Sequence, residues 1–503
     1  MVAACALPGT TGALAQDTAA LCPPATGGEQ AYTGVTFTGR TGYLDRATLD
    51  RISGSVAGCS IARTTPDLGA RLVNAAYQAY PAPLAFARPA GRSGQTMIVE
   101  LVEITYGAVN VTGNQTTRAD YVRQRAGVVP GGLADVAQLE SRLAAVPEVE
   151  DIRVDADLTP GAQVGTSDLT LAVTEPAKPY SLVTTLDNYG SDAQGQLQAG
   201  VSARWNSLTG RRDPLSLSAT IAKSKTAIAV SYDTPINGVG TRLSFNASLD
   251  SGTVSAGLPA TIGLRTETRS FGVTMRHPLR ADEQRVDLLT GSLQRTKDKA
   301  VLSGFTLLQQ DVTEVRLGMT HIRRWPGKAV LTVSHGIGFG KNRDAVAGTT
   351  ETFRAYSGFA SLVYKLSDTL TASTEIGWQA TGDIMPSSLR FGVTGPSAAR
   401  GFATNDGSAN LGYYTRNQLN LTLQNQPDWG QVTPYAFLDA GEGWEIVGGT
   451  SRRQGLLASV GAGLGISFKN GAGLDLWVAK PVKTNAATTS RSAQIGVRFA
   501  WTF

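Results

Sequence analysis

The sequence predicts two small α+β modules in series, each ordered β-α-α-β-β, followed by a 16-stranded antiparallel transmembrane β-barrel. Three observations carry this. The chain has 503 residues, too many for one core, with 57 glycines and only 17% charged side chains, a balance suited to many strands that face two different solvents. Near residue 178 the pattern changes from mixed helix and strand signals to segments of about ten residues with alternating hydrophobicity. The chain ends on such a segment, "AQIGVRFAWTF", whose last residue is aromatic.

The start, "MVAACALPGTTGALAQ", is small and apolar, and "ALA" at Ala13 to Ala15 reads as a cleavage site. A signal peptide is expected over residues 1–15, with Gln16 the first mature residue and a short linker over 16–30. Cys5 falls in the removed segment, which leaves Cys22 and Cys59 as an even pair in an exported chain. A disulfide between them and two free thiols both remain open, because sequence does not give the Cα separation.

The first module is expected over 31–103. "AYTGVTFTG" (Ala31 to Gly39) alternates as a strand, "DRATLDRI" (Asp45 to Ile52) has helical spacing, and "PDLGARLVNAAYQAY" (Pro66 to Tyr80) sets Leu68, Leu72, Ala75 and Ala76 on one helical face. Strands follow around Leu84 to Ala87 and Thr96 to Val102. The same order recurs over 104–178: a strand at Ile104 to Gly113, helices at Arg118 to Gln124 and Leu133 to Val146, and strands at Glu150 to Leu158 and Ser167 to Glu175. In the second of these helices Val136, Leu139, Leu143 and Val146 form the buried stripe.

The barrel is expected over 179–503. "DPLSLSATIAKS" puts Leu215, Leu217, Ala219 and Ile221 on one face, "TRLSFNASLD" does so with Leu243, Phe245, Ala247 and Leu249, and "LASVGAGLGISF" opposes Val460, Ala462, Leu464, Ile466 and Phe468 to Gly461, Gly463 and Gly465. One face suits lipid and the other water or small side chains. Eleven such segments lie between Tyr180 and about Thr381 and five lie from about Asn410 to the end, an even count that closes a barrel and removes the unpaired edge that hydrocarbon penalises. No window holds eighteen consecutive apolar residues, so strands rather than a helix would cross a membrane. Ile495, Val497, Phe499, Trp501 and Phe503 share one face of the last strand, and Phe499, Trp501 and Phe503 are the expected assembly signal and lipid contact.

Several functions find no support. Net charge is only +5 and no Lys/Arg cluster alternates with aromatics, so no nucleic-acid partner is expected. The three histidines, His277, His321 and His335, have no second His or Cys at ligand spacing, so no metal or other cofactor is expected and the chain is not read as an enzyme. "GIGFGK" (Gly336 to Lys341) lacks the Ser/Thr and the following helix of a phosphate loop and is better read as lumenal strand glycines. The arginines of "TGRRDP" and "HIRRWPGK" read as turn residues at the barrel rims.

One loop stands out. "GPSAARGFATND" (Gly395 to Asp406) places Arg400 at the tip of a run of small residues, while in "YAFLDAG" period two sets Phe437, Asp439 and Gly441 on one face and Ala436, Leu438 and Ala440 on the other. The apolar set can face lipid, so Asp439 faces the lumen, and a lumenal carboxylate seeks a cation.

Two such modules, sixteen strands, a terminal aromatic strand, and "LDNYGS" (Leu186 to Ser191), "YDTPI" (Tyr232 to Ile236), "ARGF" (Ala399 to Phe402) and "FLDAG" (Phe437 to Gly441) in that order resemble the outer-membrane transporters of two-partner secretion, the ShlB/FhaC/HecB-type (TpsB) family of haemolysin secretion and activation. The resemblance covers essentially the whole mature chain. It implies that the modules are polypeptide-transport-associated (POTRA) domains in the periplasm and that the barrel lies in the outer membrane of a Gram-negative bacterium. The barrel would be the translocation pore for an unfolded TpsA-type exoprotein that the POTRA domains capture. Its other implied partners are outer-membrane lipid and the barrel assembly machinery.

The resemblance further implies that a loop around 382–409 folds back into the barrel, where Arg400 bonds Asp439 as a latch. Gly401 would allow close approach, Phe402 would anchor the tip, and Phe437 and Gly441 complete the strand motif. In a wet pore that bond would contribute about 1 to 3 kcal/mol. The family more often has valine where this chain has Ala399, which implies a looser loop, and the prolines and glycines of Gln16 to Gln30 argue against the pore-plugging helix that relatives often carry. An outer-membrane assembly factor of the same superfamily and a passive porin are the alternatives; two modules favour secretion over the first, and their presence argues against the second.

Overall fold

A computed structural model describes residues 21–254, 263–404, 407–423, 426–485 and 492–503. The expected signal peptide over residues 1–15 and the first five linker residues, 16–20, lie outside them. The chain forms two compact units: one holds the chain through Asn114 with Val122–Leu143 and Arg153–Thr174, and the other holds Gln115–Tyr121, Ala144–Ile152 and Glu175–Phe503.

The first module contains β1 (Gly34–Gly39), α1 (Arg46–Val56), α2 (Leu68–Tyr77), β2 (Ala85–Ser93) and β3 (Thr96–Glu103). Its sheet has the order β1-β3-β2, with β1 parallel and β2 antiparallel to β3. Helix α1 starts where the Asp45 side chain accepts the Thr48 amide at 2.8 Å, satisfying one of the donors that a helix N-terminus leaves open. The buried ridge of α2 differs from the expected face: Gly69, Val73 and Tyr77 are fully buried with Leu68, whereas Leu72, Ala75 and Ala76 are only half-buried. The cause is Gly69, where a Cβ would meet Met97 Sδ at 2.8 Å and Val99 Cγ2 at 2.9 Å; the bare glycine lets the helix approach the sheet along the 69/73/77 line. Cys22 and Cys59 are joined in a disulfide with Cα atoms 5.0 Å apart. Glu103, at the end of β3, accepts the Tyr77 hydroxyl at 3.1 Å, and burial pushes that hydroxyl far above its ordinary pKa.

The second module repeats the order with β4 (Thr105–Thr112), α3 (Ala119–Ala126), α4 (Val136–Val149), β5 (Arg153–Pro160) and β6 (Thr166–Thr174). Its sheet order is β4-β6-β5. Leu139, Leu143 and Val146 of α4 are buried as the spacing predicts, while Val136 at the first turn is half-buried.

The barrel strands before the long loop are β7 (Tyr180–Asp187), β8 (Gln198–Trp205), β9 (Leu215–Ala222), β10 (Lys225–Pro235), β11 (Arg242–Thr253), β12 (Leu264–Ala281), β13 (Arg285–Leu302), β14 (Phe305–Trp325), β15 (Ala329–Asp344), β16 (Thr349–Lys365) and β17 (Leu370–Ala380). Within the loop β18 (Phe391–Gly392) pairs with β19 (Ser408–Ala409). The strands after it are β20 (Leu411–Leu421), β21 (Gly430–Val447), β22 (Thr450–Phe468), β23 (Ala472–Lys483) and β24 (Gln494–Thr502). These sixteen strands close antiparallel, eleven before the loop and five after it. Leu217, Ile221, Phe245, Leu249 and Val460 are exposed on the outer wall. On the inner wall a Cβ at Gly461 or Gly463 would strike the ring of Phe437 or Tyr435 at 2.2 or 2.3 Å, so the glycines of β22 make room for aromatic rings on β21. The "GIGFGK" glycines lie in β15, where a Cβ at Gly340 would likewise meet the Phe353 ring at 2.1 Å.

Closure is narrow at the seam. Strands β24 and β7 share five paired positions, from Arg498↔Asp187 to Thr502↔Val183. Asn188 extends them: its side-chain amide donates to Ile495 O at 2.8 Å and its Oδ1 accepts from Val497 N at 2.9 Å, so a side chain stands in for a strand residue.

Candidate functional site

The long loop enters the barrel and its tip is fully enclosed. Arg400 is 3% exposed and Asp439 0%. Arg400 Nε donates to Asp439 Oδ2 at 2.6 Å and Nη2 to Oδ1 at 3.0 Å, the two-pronged geometry that a planar guanidinium offers a carboxylate. The Arg400 backbone amide donates to the same Oδ2 at 3.1 Å, Nη1 reaches Gln418 Oε1 at 2.8 Å, and the guanidinium carbon lies 3.6 Å from the centre of the Phe437 ring. Ser459 Oγ donates to the Arg400 carbonyl. The site is therefore dry, unlike the wet lumen assumed from sequence, and removal of one partner would strand a buried charge at about 3–5 kcal/mol rather than 1–3.

Residues of both the "ARGF" and the "FLDAG" pattern have places in this arrangement. Gly401 has φ +88, in the left-handed region, and a Cβ there would lie 3.1 Å from both Ala479 and Ser459 Cβ. Phe402 packs with Ala399 and Leu457 in a buried cluster. Ala399 is fully buried and donates its amide to Val393 O at 3.1 Å, so the smaller residue is seated rather than loose. On β21, Phe437 supplies the ring under the guanidinium and Asp439 the carboxylate. Gly441 supplies space, since a Cβ there would meet Val393 Cγ1 at 2.4 Å. Leu438, between them, points outward and is 52% exposed. Phe499, Trp501 and Phe503 are also exposed on the outer wall, with Trp501 and Phe503 ring centres 4.5 Å apart.

A second clasp was not read from the sequence. Arg390 forms a two-pronged pair with Glu445, whose carboxylate also accepts from Asn410 Nδ2 at 2.8 Å and Gln454 Nε2 at 2.9 Å. Asn410 Oδ1 in turn accepts the Met385 amide at 2.7 Å. Glu445 lies six residues beyond Asp439 on the same strand, so period two gives both the same face; what local counting does not reveal is that Arg390 of the loop meets it there, or that a bulge opposite Gly443 and Trp444 leaves Gln454 as the extra residue of β22 beside it.

The rim arginines also have partners. Within the second unit Arg212, 2% exposed, donates from Nε to Asp151 Oδ1 at 2.8 Å and from Nη1 to Thr116 Oγ1 at 3.1 Å, and Arg324 Nη1 donates to Glu148 Oε2 at 2.6 Å. They are ion-paired residues, not the plain turn residues expected. Glu175, just before the barrel, accepts the amides of Thr116 and Thr117, both at 2.9 Å. Burial pushes its carboxyl up, but the hydrogen bonds from Thr116 and Thr117 outweigh that and hold it down at about 2. Among the described residues no group of three or more His, Cys, Asp or Glu could hold a metal.

Residues 165–468 match the family model of the haemolysin secretion/activation protein ShlB/FhaC/HecB. The chain belongs to this family. It is an outer-membrane β-barrel transporter of the two-partner secretion type, with POTRA domains in the periplasm, and not an enzyme. Among its relatives is the hemolysin transporter protein ShlB of Serratia marcescens, 25% identical over 399 residues that cover 73% of this chain and 68% of that one. The outer membrane transporter CdiB of Dickeya dadantii is 24% identical over 366 residues, 69% of this chain and 64% of that one. This ShlB-family chain thus spans about two thirds of the length of each. In fold it is similar to the structure of CdiB from Escherichia coli, with a TM-score of 0.68 over 98% of this chain and 96% of that one at 18% identity.

Proposed function

We propose that this transporter captures an unfolded exoprotein of the TpsA type at its POTRA domains and passes it through the barrel lumen, with the loop around 382–409 as the element that must move. The observation that carries the reading is the enclosed Arg400–Asp439 pair: a polar bond buried inside a barrel wall, on a loop that could otherwise stay in solvent, is a specific stop for one loop position. Capture by strand addition suits an extended chain because backbone bonds carry the affinity. Of the two edges that pair antiparallel within their sheets, β2 is blunted by Pro89 and a bulge between Pro89 and Gly91, whereas β5 pairs only with β6 and holds no proline before its last residue. Strand β5 is therefore the preferred capture edge. Outer-membrane lipid surrounds the exposed apolar wall, and the barrel assembly machinery would read the terminal aromatic strand.

The test is secretion of the exoprotein of the same locus in a Gram-negative host. A chain lacking Ile104 to Glu175 should insert and conduct ions but secrete nothing. Secretion by that truncation would place substrate capture outside the second module and overturn the reading.

A further inference from the structure

The outer wall carries a built concentration of positive charge at one level of strands β12 to β16. The ladder registers align three successive rows of outward side chains. The lowest reads Val273, Leu293, Val315, Phe339, Arg354; the next Phe271, Arg295, Thr313, Lys341, Thr352; the third Arg269, Lys297, Asp311, Arg343, Thr350. Leu293, Val315 and Phe339 are about half exposed, which fixes this face as the outer one. Cations thus begin where the apolar wall stops. Six of them, Arg269, Arg295, Lys297, Lys341, Arg343 and Arg354, are exposed. The one carboxylate in these three rows, Asp311, pairs with Arg295 at 2.6 Å and lies directly across from Lys297 and Arg343, and Glu267 of the next row pairs with Arg269 at 2.5 Å, so the patch keeps a positive excess centred on Lys297, Lys341 and Arg343.

The level is that of lipid headgroups. On β13 the outward cations Arg285 and Arg295 are ten residues apart, and a tilted strand needs roughly 9 to 11 residues to cross the hydrocarbon. Arg285 starts β13 at the end where the chain enters the barrel, the periplasmic side, so Arg295 and the rows around it stand at the outer leaflet. Adjacent strands lie about 4.8 Å apart, so these side chains form a dense lattice of donors beside acyl chains rather than scattered surface charge. Headgroup level, apolar wall beneath and clustered Lys and Arg together select an anionic amphiphile.

We propose that this patch binds a phosphate-bearing glycolipid of the outer leaflet, with the acyl chains on Phe271, Leu293, Val315 and Phe339 and the phosphates on Lys297, Lys341 and Arg343. Arg295 is held by Asp311 as the rigid centre of the site.

The experiment uses the full chain in detergent micelles and reads binding of diphosphorylated lipid A by native mass spectrometry. The Lys297→Gln, Lys341→Gln, Arg343→Gln triple variant should bind roughly 100-fold more weakly, the effect of three juxtamembrane charges, while its barrel keeps heat-modifiable migration. Lys480→Gln, which removes an exposed cation on β23, should leave binding unchanged. Equal binding by the triple variant, or equal binding of dephosphorylated lipid A with the same acyl chains, would overturn the proposal. Displacement of lipid A by inorganic phosphate alone would also overturn it, because the site would then be a plain anion site.

Discussion

Arg400 and Asp439, 39 residues apart in sequence, form a two-pronged ion pair inside the barrel wall with the Phe437 ring stacked on the guanidinium. The pair is enclosed, so its two halves depend on each other. Arg400→Ala should weaken loop seating by about 3–5 kcal/mol, read as faster protease cleavage within 382–409 and reduced secretion at an unchanged barrel level. Arg400→Lys keeps the charge but not the fork, and should fall in between. The exchange Arg400→Asp with Asp439→Arg should recover part of the loss. Full secretion by Arg400→Ala would leave the latch without a role.

Gly441 tests loop seating without touching the ion pair. The valine side chain of Gly441→Val would occupy the place of Val393 Cγ1, so it should dislodge the loop and phenocopy Arg400→Ala in protease sensitivity. A seated loop in this variant would show that the strand glycine is incidental.

Glu175 makes a pH prediction. Its folded carboxyl sits at about 2, below the ordinary value of 4.5. A depressed carboxylate stabilises the fold above the unfolded pKa, and that contribution is lost as pH falls from 4.5 toward 2. Hydrogen exchange at the Thr116 and Thr117 amides, corrected for intrinsic rates, should therefore accelerate across that interval. In Glu175→Gln the acceleration should be absent and the amides less protected at neutral pH.

The Cys22–Cys59 bond closes a loop with a sequence separation of 37. Cys22→Ser with Cys59→Ser should cost the first module about 2–5 kcal/mol, measured as earlier proteolysis of that module in the full chain while the barrel band persists.

At the other end, deletion of Phe503 or Phe503→Asp should lower the outer-membrane level of the barrel. The side chain is 43% exposed on the wall, so a folding defect through lost packing is not the expected cause. Unchanged insertion would count against the terminal strand as an assembly signal.

The strand count, the outward and inward faces and the lumenal position of Asp439 are legible in the amino-acid sequence. These follow from side-chain alternation with period two, which is local and survives any closure geometry. It also marked the helices, yet misjudged the buried face of α2, because Gly69 sets how closely that helix approaches Met97 and Val99. The enclosure of the Arg400 site, the second clasp between Glu445 and Arg390, the pairing of Arg212 and Arg324 and the extension of the seam by Asn188 emerge on folding. Each of these depends on residues far apart in the chain or on a register shift such as the bulge at Gly443/Trp444, and a local pattern carries no record of what a distant side chain will meet when the barrel closes.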